Sequence, residues 1–400
     1  MPSINPEIMV WARETAGLTR QEAAGKLGFR DSSRSSAVDK LAAIEYGKKE
    51  PSRPQLVRMA DQYHRPLLTF YLSKPPKQGV RGVDFRALPE DYSRSDDALL
   101  DTLIRDIRAR QSMVRAVLED EDEAESLSFV GSRQIADGRV AVLRALHELL
   151  GVDSSQYRAQ ATVSAAFELL RRKAEASGIF VLLKGDLGNH ATAIDVRVFR
   201  GFSIADEVAP FVVINDQDAR TAWSFILLHE TVHLLLGQTG VSGSYADNEV
   251  ERFCNDVAGE FLLPTAEMDE LNRLVGGGNV GVSAVSEHIS TFARKAKVSR
   301  TMVAYKAHRS SLINQELFSQ LSNKYREEWR AERERTRAQT RERSGRPDYY
   351  AVRRHRLGAR MLSLVQRMMT ADALSTSKAA RILGVKPRQV QPLLDRARSL

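Results

Sequence analysis

Apolar side chains recur every three or four residues along most of the chain, which is the spacing of amphipathic helices. This pattern covers residues 1–75, 95–127 and 134–177, and it returns after the glycine run at 276–278. Glycine and proline residues, which commonly end helices, separate these segments. The pattern therefore predicts a protein that is mostly helical.

In the middle of the chain the pattern changes to short segments rich in β-branched residues, which are typical of strands. Three strands of a small sheet are predicted, at residues 179–183, 193–199 and 210–215. Two helices are expected to follow, at about 218–237 and 247–262. The predicted fold class is therefore α+β, with a small sheet among many helices.

The first of these two helices contains a His-Glu-x-x-His motif, formed by His229, Glu230 and His233. Residues four apart share one face of a helix, so both imidazoles can reach a single tetrahedral Zn²⁺. Glu230 can then act as the catalytic general base. The alternative is a pair of hydrogen-bonded core histidines. Chance is a poor explanation, since roughly 0.01 such matches are expected in a chain of this composition.

The second helix supplies a candidate third ligand. Glu251 shares the apolar face of this helix, where an unpaired carboxylate would be costly and a metal would pair it. Glu249 points elsewhere and is the alternative ligand. Asn255, one turn after Glu251, is a candidate for orienting a histidine through a hydrogen bond. Cys254 is expected to be a core residue, because free cysteines are usually buried.

Residues 135–310 resemble the ImmA/IrrE family of metallopeptidases. Three features carry the resemblance and occur in the same order as in the family. They are the strand ending Val213-Ile214-Asn215, the His-Glu-x-x-His helix, and the helix Glu251-x-x-Cys254-Asn255-x-x-Ala258-x-x-Phe261-Leu262-Leu263-Pro264. Cys254 stands where the family usually has alanine, and Val257 where it usually has phenylalanine.

This resemblance implies a gluzincin-like peptidase core with one zinc ion held by His229, His233 and Glu251. It also implies that Glu230 is the catalytic base. Family members are site-specific proteases that cleave a helix–turn–helix repressor and so control stress, prophage or mobile-element genes. Mn²⁺ or Fe²⁺ remain alternatives to zinc, because a His/His/Glu site accepts other divalent metals. Tyr245 is a candidate donor to the transition state.

Residues 8–72 resemble an XRE/Cro-type helix–turn–helix module. Thr19 and Glu22 have the spacing of a capping box at the start of the second helix, and Gly47 follows the third helix. The segment between Gly28 and Glu45 is longer than usual. The resemblance implies that this module binds DNA, with Arg34, Ser36 and Lys40 as the candidate base-reading residues. A helical protein–protein module of the same fold is the alternative.

Two further segments have the apolar spacing of two short helices separated by a turn. The segment at 289–307 turns at 297–299, and the family resemblance implies that it packs against the peptidase core. The segment at 375–397 turns at Gly384 and Val385, with Pro387 near a helix start. The sequence alone allows this second segment either to bind DNA or to form a helical hairpin for self-association.

The chain has 400 residues, 59 Lys and Arg against 51 Asp and Glu, and a net charge of +8. Nearly all of this excess lies in residues 321–360, which carry 13 Lys and Arg against 6 Asp and Glu. A basic balance favours a polyanionic partner without proving one. A single cysteine excludes an intrachain disulfide. With no signal region and no long apolar run, the sequence predicts a cytoplasmic protein without membrane association.

These features together predict five regions. They are a helix–turn–helix domain at 1–75, a helical linker at 76–134, a zinc metallopeptidase domain at 135–275, a helical subdomain packed on it at 276–320, and a basic helical region at 321–400. The predicted function is a zinc-dependent protease and transcriptional regulator that acts on a helix–turn–helix repressor or antitoxin, with a homodimer as one assembly. The alternative is a DNA-binding regulator whose peptidase-like domain is a sensor or scaffold without proteolysis.

Overall fold

The computed structural model describes residues 4–76, 83–84, 94–242, 249–275, 281–342 and 348–395. The chain divides into two compact units. The first contains Met1–Arg81, Leu88–Ile107 and Asp186–Val198, and the second contains Gly82–Ala87, Arg108–Gly185 and Phe199–Leu400.

The first unit begins with four short helices, as the apolar spacing predicts. They are α1 (Pro6–Thr15), α2 (Arg20–Lys26), α3 (Ala37–Glu45) and α4 (Arg53–Gln62), followed by a 3₁₀ turn at Leu67–Tyr71. Their apolar faces form one core. Within it the buried carboxylate of Glu45 accepts hydrogen bonds from Arg13 Nε at 2.6 Å and from Arg20 Nε at 2.8 Å. This shared carboxylate ties the first three helices together.

The predicted capping box at the start of α2 is confirmed. The backbone N–H of Glu22 donates to Thr19 Oγ1 at 3.2 Å, and the backbone N–H of Thr19 donates to Glu22 Oε2 at 2.8 Å. Gly47, two residues after α3, has a φ of 68°, a conformation that glycine adopts without strain. The long segment before α3 folds back through paired backbone bonds between Ser32 and Ser35.

Thirteen of the helices in the described residues belong wholly to the second unit, and α5 (Arg94–Asp120) begins in the first unit. The helices that surround the sheet are α6 (Gly138–Leu150), α7 (Ser154–Arg158), α8 (Val163–Ala176), α9 (Arg220–Leu235) and α10 (Glu249–Leu262). Those that follow are α11 (Met268–Val275), α12 (Val282–Ala296), α13 (Arg300–Arg309), α14 (Gln315–Glu342), α15 (Tyr349–Leu357), α16 (Ala359–Thr370), α17 (Thr376–Leu383) and α18 (Pro387–Asp395).

The second unit contains a five-stranded mixed sheet with the strand order β1-β5-β3-β4-β2. The strands are β1 (Val83–Asp84), β2 (Phe180–Leu183), β3 (Gly201–Ile204), β4 (Phe211–Ile214) and β5 (Gly240–Ser242). The pairs β1–β5 and β2–β4 are parallel, whereas β3 runs antiparallel to both of its neighbours. The sheet and the helices around it support the expected α+β class.

The sequence prediction of three strands is wrong at residues 193–199. That segment turns instead, because Asp195 Oδ1 accepts the backbone N–H of Arg197 at 2.8 Å and the carbonyl of Asp195 accepts the N–H of Val198 at 2.9 Å. An Asp side chain that accepts the backbone N–H two residues further on stabilises a turn, and this turn competes with strand pairing. The middle strand of the sheet is instead β3. It begins with a glycine and has only four residues, too few to show an alternation of apolar and polar side chains.

The core of the second unit places α9 at its centre. This helix packs on β3, β4, α8 and α10, and from Ile226 to Leu235 every residue is buried. A helix whose residues are buried on all sides lies in the core of its unit. The helices α12 and α13, which correspond to the predicted helix–turn–helix at 289–307, add Ile289, Phe292 and Val303 to the same core. Within the described part of the chain, every helix is too short or too polar to cross a membrane.

Candidate metal centre

The histidines of the motif lie one turn apart on α9. The chain reaches this helix directly from β4 through Asn215, whose side-chain amide donates to the carbonyl of Phe199 at 3.0 Å and whose Oδ1 accepts the N–H of Gln217 at 3.0 Å. These two bonds fix the turn between strand and helix. Helical spacing then points His229 and His233 to the same side, toward α10.

Three side chains from two helices, two imidazoles and a carboxylate, converge in the core. His229 Nε2 lies 3.1 Å from His233 Nε2, His233 Nε2 lies 3.0 Å from Glu251 Oε1, and His229 Nε2 lies 3.3 Å from Glu251 Oε2. All three residues are buried. Glu251 comes from the first turn of α10, as the spacing of its helix indicates. The structure thus brings together the three residues proposed as ligands.

The separations match what a tetrahedral zinc ion requires. Ligand atoms about 2.0–2.1 Å from the metal lie roughly 3.3–3.4 Å apart along a tetrahedron edge. The three observed separations are close to this value, and two imidazole nitrogens with a carboxylate form a known donor set for zinc. The residues present therefore fit a divalent metal.

The outer nitrogen of His233 has a partner that fixes its orientation. His233 Nδ1 lies 3.3 Å from Gln238 Oε1, so the amide oxygen can accept the Nδ1 proton and leave Nε2 as the ligand atom. Cys254 Sγ lies 3.8 Å from the same Nδ1 and away from the three converging donors. Burial raises the pKa of the Cys254 thiol well above its ordinary value. Cys254 is thus a protonated core residue, as the sequence predicts.

The charge on Glu251 is set by the histidines. Burial by itself would raise the pKa of Glu251, but the charges and hydrogen bonds of His229 and His233 outweigh burial and lower the pKa to about 2. A carboxylate held in this way is ionised near neutral pH, which is the form that binds a metal.

Glu230 lies beside this cluster in a different electrostatic setting. It is fully buried, and neither carboxylate oxygen has a hydrogen-bond partner of normal geometry among the residues described. Burial raises its pKa to about 8. The charge of His233 and the hydroxyls of Ser242 and Ser203 oppose this rise, and the charge of Glu251 adds to it. A buried carboxyl group without a bonded partner costs stability, which is typical of a group retained for function.

Gly201 of β3 leaves the space that Glu230 occupies. A Cβ atom at position 201 would lie 2.7 Å from Glu230 Oε1 and 2.7 Å from Ile226 Cγ2, closer than such atoms approach in proteins. A glycine in a strand often marks a close approach of this kind. The strand therefore passes directly against the acid that the motif proposes as the base.

A cavity of about 430 Å³ opens onto His229 and Glu230. Apolar side chains line much of it, including Phe225, Met302 and Phe318. Its polar lining includes Arg252, Asn255 and Tyr305, and the Tyr305 hydroxyl donates to Asp256 Oδ1 at 3.0 Å. A largely apolar cleft with a few polar groups is the usual form of a substrate pocket.

The other candidate residues have different positions. Asn255 lines the cavity, while the partner found for His233 is Gln238. Tyr245 lies outside the described residues. Arg34 is exposed, Ser36 caps α3 by accepting the backbone N–H of Asp39 at 3.1 Å, and Lys40 Nζ donates to the carbonyl of Arg30 at 2.7 Å. The cap explains Ser36 without DNA, and a role for all three in base contacts stays a prediction.

Three residues of the site were missed from the sequence: Gly201, Gln238 and Ser242. The Ser242 hydroxyl lies 3.2 Å from His229 Nε2 and donates to Glu251 Oε1 at 3.4 Å. Gln238 lies three residues after the end of α9, so its closeness to His233 in the sequence was a weak signal that the two side chains meet. Gly201 and Ser242 offered none, because only the pairing of β3 with β5 brings them to α9.

Comparison with known proteins agrees with this geometry over part of the chain. Residues 176–308 match the family model Peptidase M78, an IrrE N-terminal-like domain. No curated protein and no solved structure matches the chain. The matched region, about a third of the chain, contains β2–β5, α9, α10 and all three candidate ligands, and it therefore resembles a peptidase domain.

Proposed function

We propose that the second unit is a zinc-dependent endopeptidase. The observation that carries this proposal is the convergence of His229, His233 and Glu251 beside Glu230, a fully buried acid that also borders the cavity. The match to a peptidase domain supports the same class of reaction.

Each residue has a defined task in this proposal. His229, His233 and Glu251 hold the metal, and a metal bound there supplies Lewis-acid polarisation of the scissile carbonyl. Glu230 accepts a proton from the attacking water as the new carbon–oxygen bond forms. Glu230 then gives this proton to the leaving nitrogen as the carbon–nitrogen bond breaks. The buried, apolar surroundings of Glu230 strengthen these electrostatic interactions and exclude competing water.

We further propose that the substrate is a helix–turn–helix repressor or antitoxin, and that the protein acts as a transcriptional regulator. The sequence resemblance to the ImmA/IrrE metallopeptidases supports this substrate. The sequence resemblance of residues 8–72 to an XRE-type module, together with the four short helices at residues 6–62, supports a DNA-binding role for the first unit, although the segment before α3 is longer than usual for that module. The apolar cavity beside Glu230 supports a substrate that presents an apolar side chain near the cleaved bond.

The first experiment measures metal by mass spectrometry in the wild-type chain, Glu251→Ala and Glu230→Gln, all purified without chelators. We expect about one zinc per chain in the wild type and in Glu230→Gln, and a loss of bound zinc in Glu251→Ala. Absence of metal from the wild type after zinc is supplied would contradict the metal centre.

The second measurement is the rate at which the same proteins cleave helix–turn–helix repressors encoded by neighbouring genes. Glu230→Gln is expected to lower cleavage by at least about 10²-fold while keeping zinc, because the general base is lost and the ligands remain. If Glu230→Gln keeps the regulatory effect in cells, proteolysis is not the function, and a DNA-binding regulator with a non-catalytic domain becomes the explanation.

A further inference from the structure

The C-terminal helices α17 and α18 form a compact pair that the metal centre does not use. α17 ends at Leu383 and α18 begins at Pro387, so three residues, 384–386, join them. Two helices connected by a three- or four-residue turn that contains glycine are typical of helix–turn–helix motifs. The sequence leaves open whether this segment binds DNA or associates with itself.

Local interactions define the turn closely. The Ser375 side chain caps α17 by accepting the backbone N–H of Lys378 at 3.3 Å. At the other end, Gly384 has a φ of 63° and the N–H of Val385 donates to the carbonyl of Ala380 at 2.9 Å. Gln389 Oε1 then accepts the backbone N–H of Lys386 at 2.9 Å, which starts α18. These are the bonds of a fixed turn between two helices.

The apolar faces of both helices are already covered. α17 packs on α16 and α18, and α15 also packs on α18. The buried residues are Ala379, Ala380, Ile382, Leu383, Val390, Leu393 and Leu394. The buried guanidinium of Arg110, on α5, occupies the space where a Cβ of residue 384 would lie. One face of the pair therefore packs against the rest of the second unit, and the polar face points outward.

The outward face of the pair is basic. We call the exposed residues Lys378, Arg381, Lys386 and Arg388 the C-terminal basic face. No acidic residue occurs between Asp372 and Asp395. Among the described residues, no carboxylate lies within ion-pair distance of any of these four cations.

Two arginines elsewhere in the second unit differ in this respect. Arg115 pairs with Asp206 at 2.7 Å, and Arg300 pairs with Glu328 at 2.6 Å. Cations that the protein leaves without counter-charges are available to phosphate groups.

We infer that α17, the turn at 384–386 and α18 form a DNA-binding surface, separate from the one proposed for residues 1–75. In a helix–turn–helix, the first turn of the second helix meets base edges and the surrounding residues contact phosphates. Arg388 lies in the first turn of α18, and Lys378, Arg381 and Lys386 flank it along the chain. Self-association is disfavoured, because no large apolar side chain from 371 to 395 is exposed.

The test measures binding of the full chain to a fluorescent duplex of about 30 base pairs between roughly 50 and 200 mM NaCl. We expect Lys386→Ala/Arg388→Ala to lower affinity about tenfold or more and to reduce the slope of log affinity against log salt by about 2. Both side chains are exposed, so the fold should be unaffected, and thermal unfolding checks this.

The matched control is Arg330→Ala/Arg335→Ala, which removes the same charge from an exposed part of α14. An equal loss of binding in this control would show a net-charge effect and overturn the inference. So would unchanged binding in Lys386→Ala/Arg388→Ala, or a loss confined to Arg34→Ala/Lys40→Ala. A change in self-association without a change in DNA affinity, measured by sedimentation, would assign the face to a second copy of this chain instead.

Discussion

At the scale of single residues, the candidate site contains two buried carboxylates in different electrostatic surroundings. Glu251 is held ionised by two histidines, whereas Glu230, in the same core, has its pKa raised to about 8 by burial. Two acids whose surroundings push their pKa values apart are typical of sites where one binds and the other moves protons. The absence of a Cβ at Gly201 is the condition that lets Glu230 lie there.

Gly201→Ala is therefore expected to separate metal binding from catalysis. The new methyl group would meet Glu230 and Ile226, so the acid must shift, whereas none of the three atoms nearest to that methyl group belongs to a proposed ligand. We expect zinc content to stay near the wild-type level and cleavage to fall at least about tenfold, with a stability cost of roughly 1–3 kcal/mol.

Gly259→Ala on α10 is the control for Gly201→Ala, because a Cβ there meets nothing within 4 Å. It should keep activity and stability, or gain up to about 1 kcal/mol of stability from better helix propensity. Wild-type cleavage rates in Gly201→Ala would show that Glu230 tolerates displacement and would argue against its role as the base.

At the scale of elements, the helices and the strands β2 and β4 were predictable from the sequence, whereas β1, β3 and β5 were not. Helices such as α9 and α10 extend over three or four turns, so their apolar spacing is repeated often enough to be recognised. The strands have two to four residues each, too few for alternation to show. The error at 193–199 has a local cause, since β-branched residues there are outweighed by an Asp195 turn.

Gly384→Ala tests the element-scale argument about α17 and α18. An alanine would be strained at a φ of 63° and its methyl group would collide with Arg110. We expect a loss of roughly 1–3 kcal/mol in the free energy of unfolding, measured by urea denaturation. Gly281→Ala, where a Cβ meets nothing within 4 Å, should have little effect. Equal stability of both variants would show that the turn at 384–386 is not held against α5.

At the scale of the whole molecule, residues distant in sequence are joined by buried polar contacts. Arg171 on α8 donates to the carbonyl of Val181 at 2.8 Å and to that of His355 at 2.6 Å. Glu175, one turn later, accepts the backbone N–H groups of Ala359 at 3.1 Å and Arg360 at 3.3 Å. These contacts hold the start of α16 and the end of α15 against α8 and β2, so the C-terminal helices belong to the second unit.

Arg171→Met should consequently destabilise the second unit by roughly 3–5 kcal/mol, because it removes the buried guanidinium whose Nε lies 3.5 Å from Glu175 Oε1 and so leaves that carboxylate without its cation. Urea unfolding of the full chain measures the loss, with Arg172→Met as the exposed neighbouring control. Adding Glu175→Gln to Arg171→Met should recover part of the stability. An Arg171→Met variant as stable as Arg172→Met would show that the pair does not hold the C-terminal helices.

The sequence by itself determined the helices and the local chemistry, because both depend on spacing within a few residues. The arrangement of His229, Glu230 and His233 on one helix, the position of Glu251 on the next, and the cap of α2 all follow from the spacing of residues within a few positions. The grouping of residues 186–198 with the first unit could not be anticipated from any linear boundary.

Only the tertiary structure decided which distant residues meet. The antiparallel pairing of β3 with β5 brings Gly201 and Ser242 to α9, and the packing of α10 on α9 brings Glu251 within 3.0–3.3 Å of both histidines. Sheet order and helix packing arise from long-range burial of apolar surface, which no local pattern records. The same packing covers one face of α17 and α18 and leaves on the other face four exposed cations without an ion pair among the residues that the structure describes.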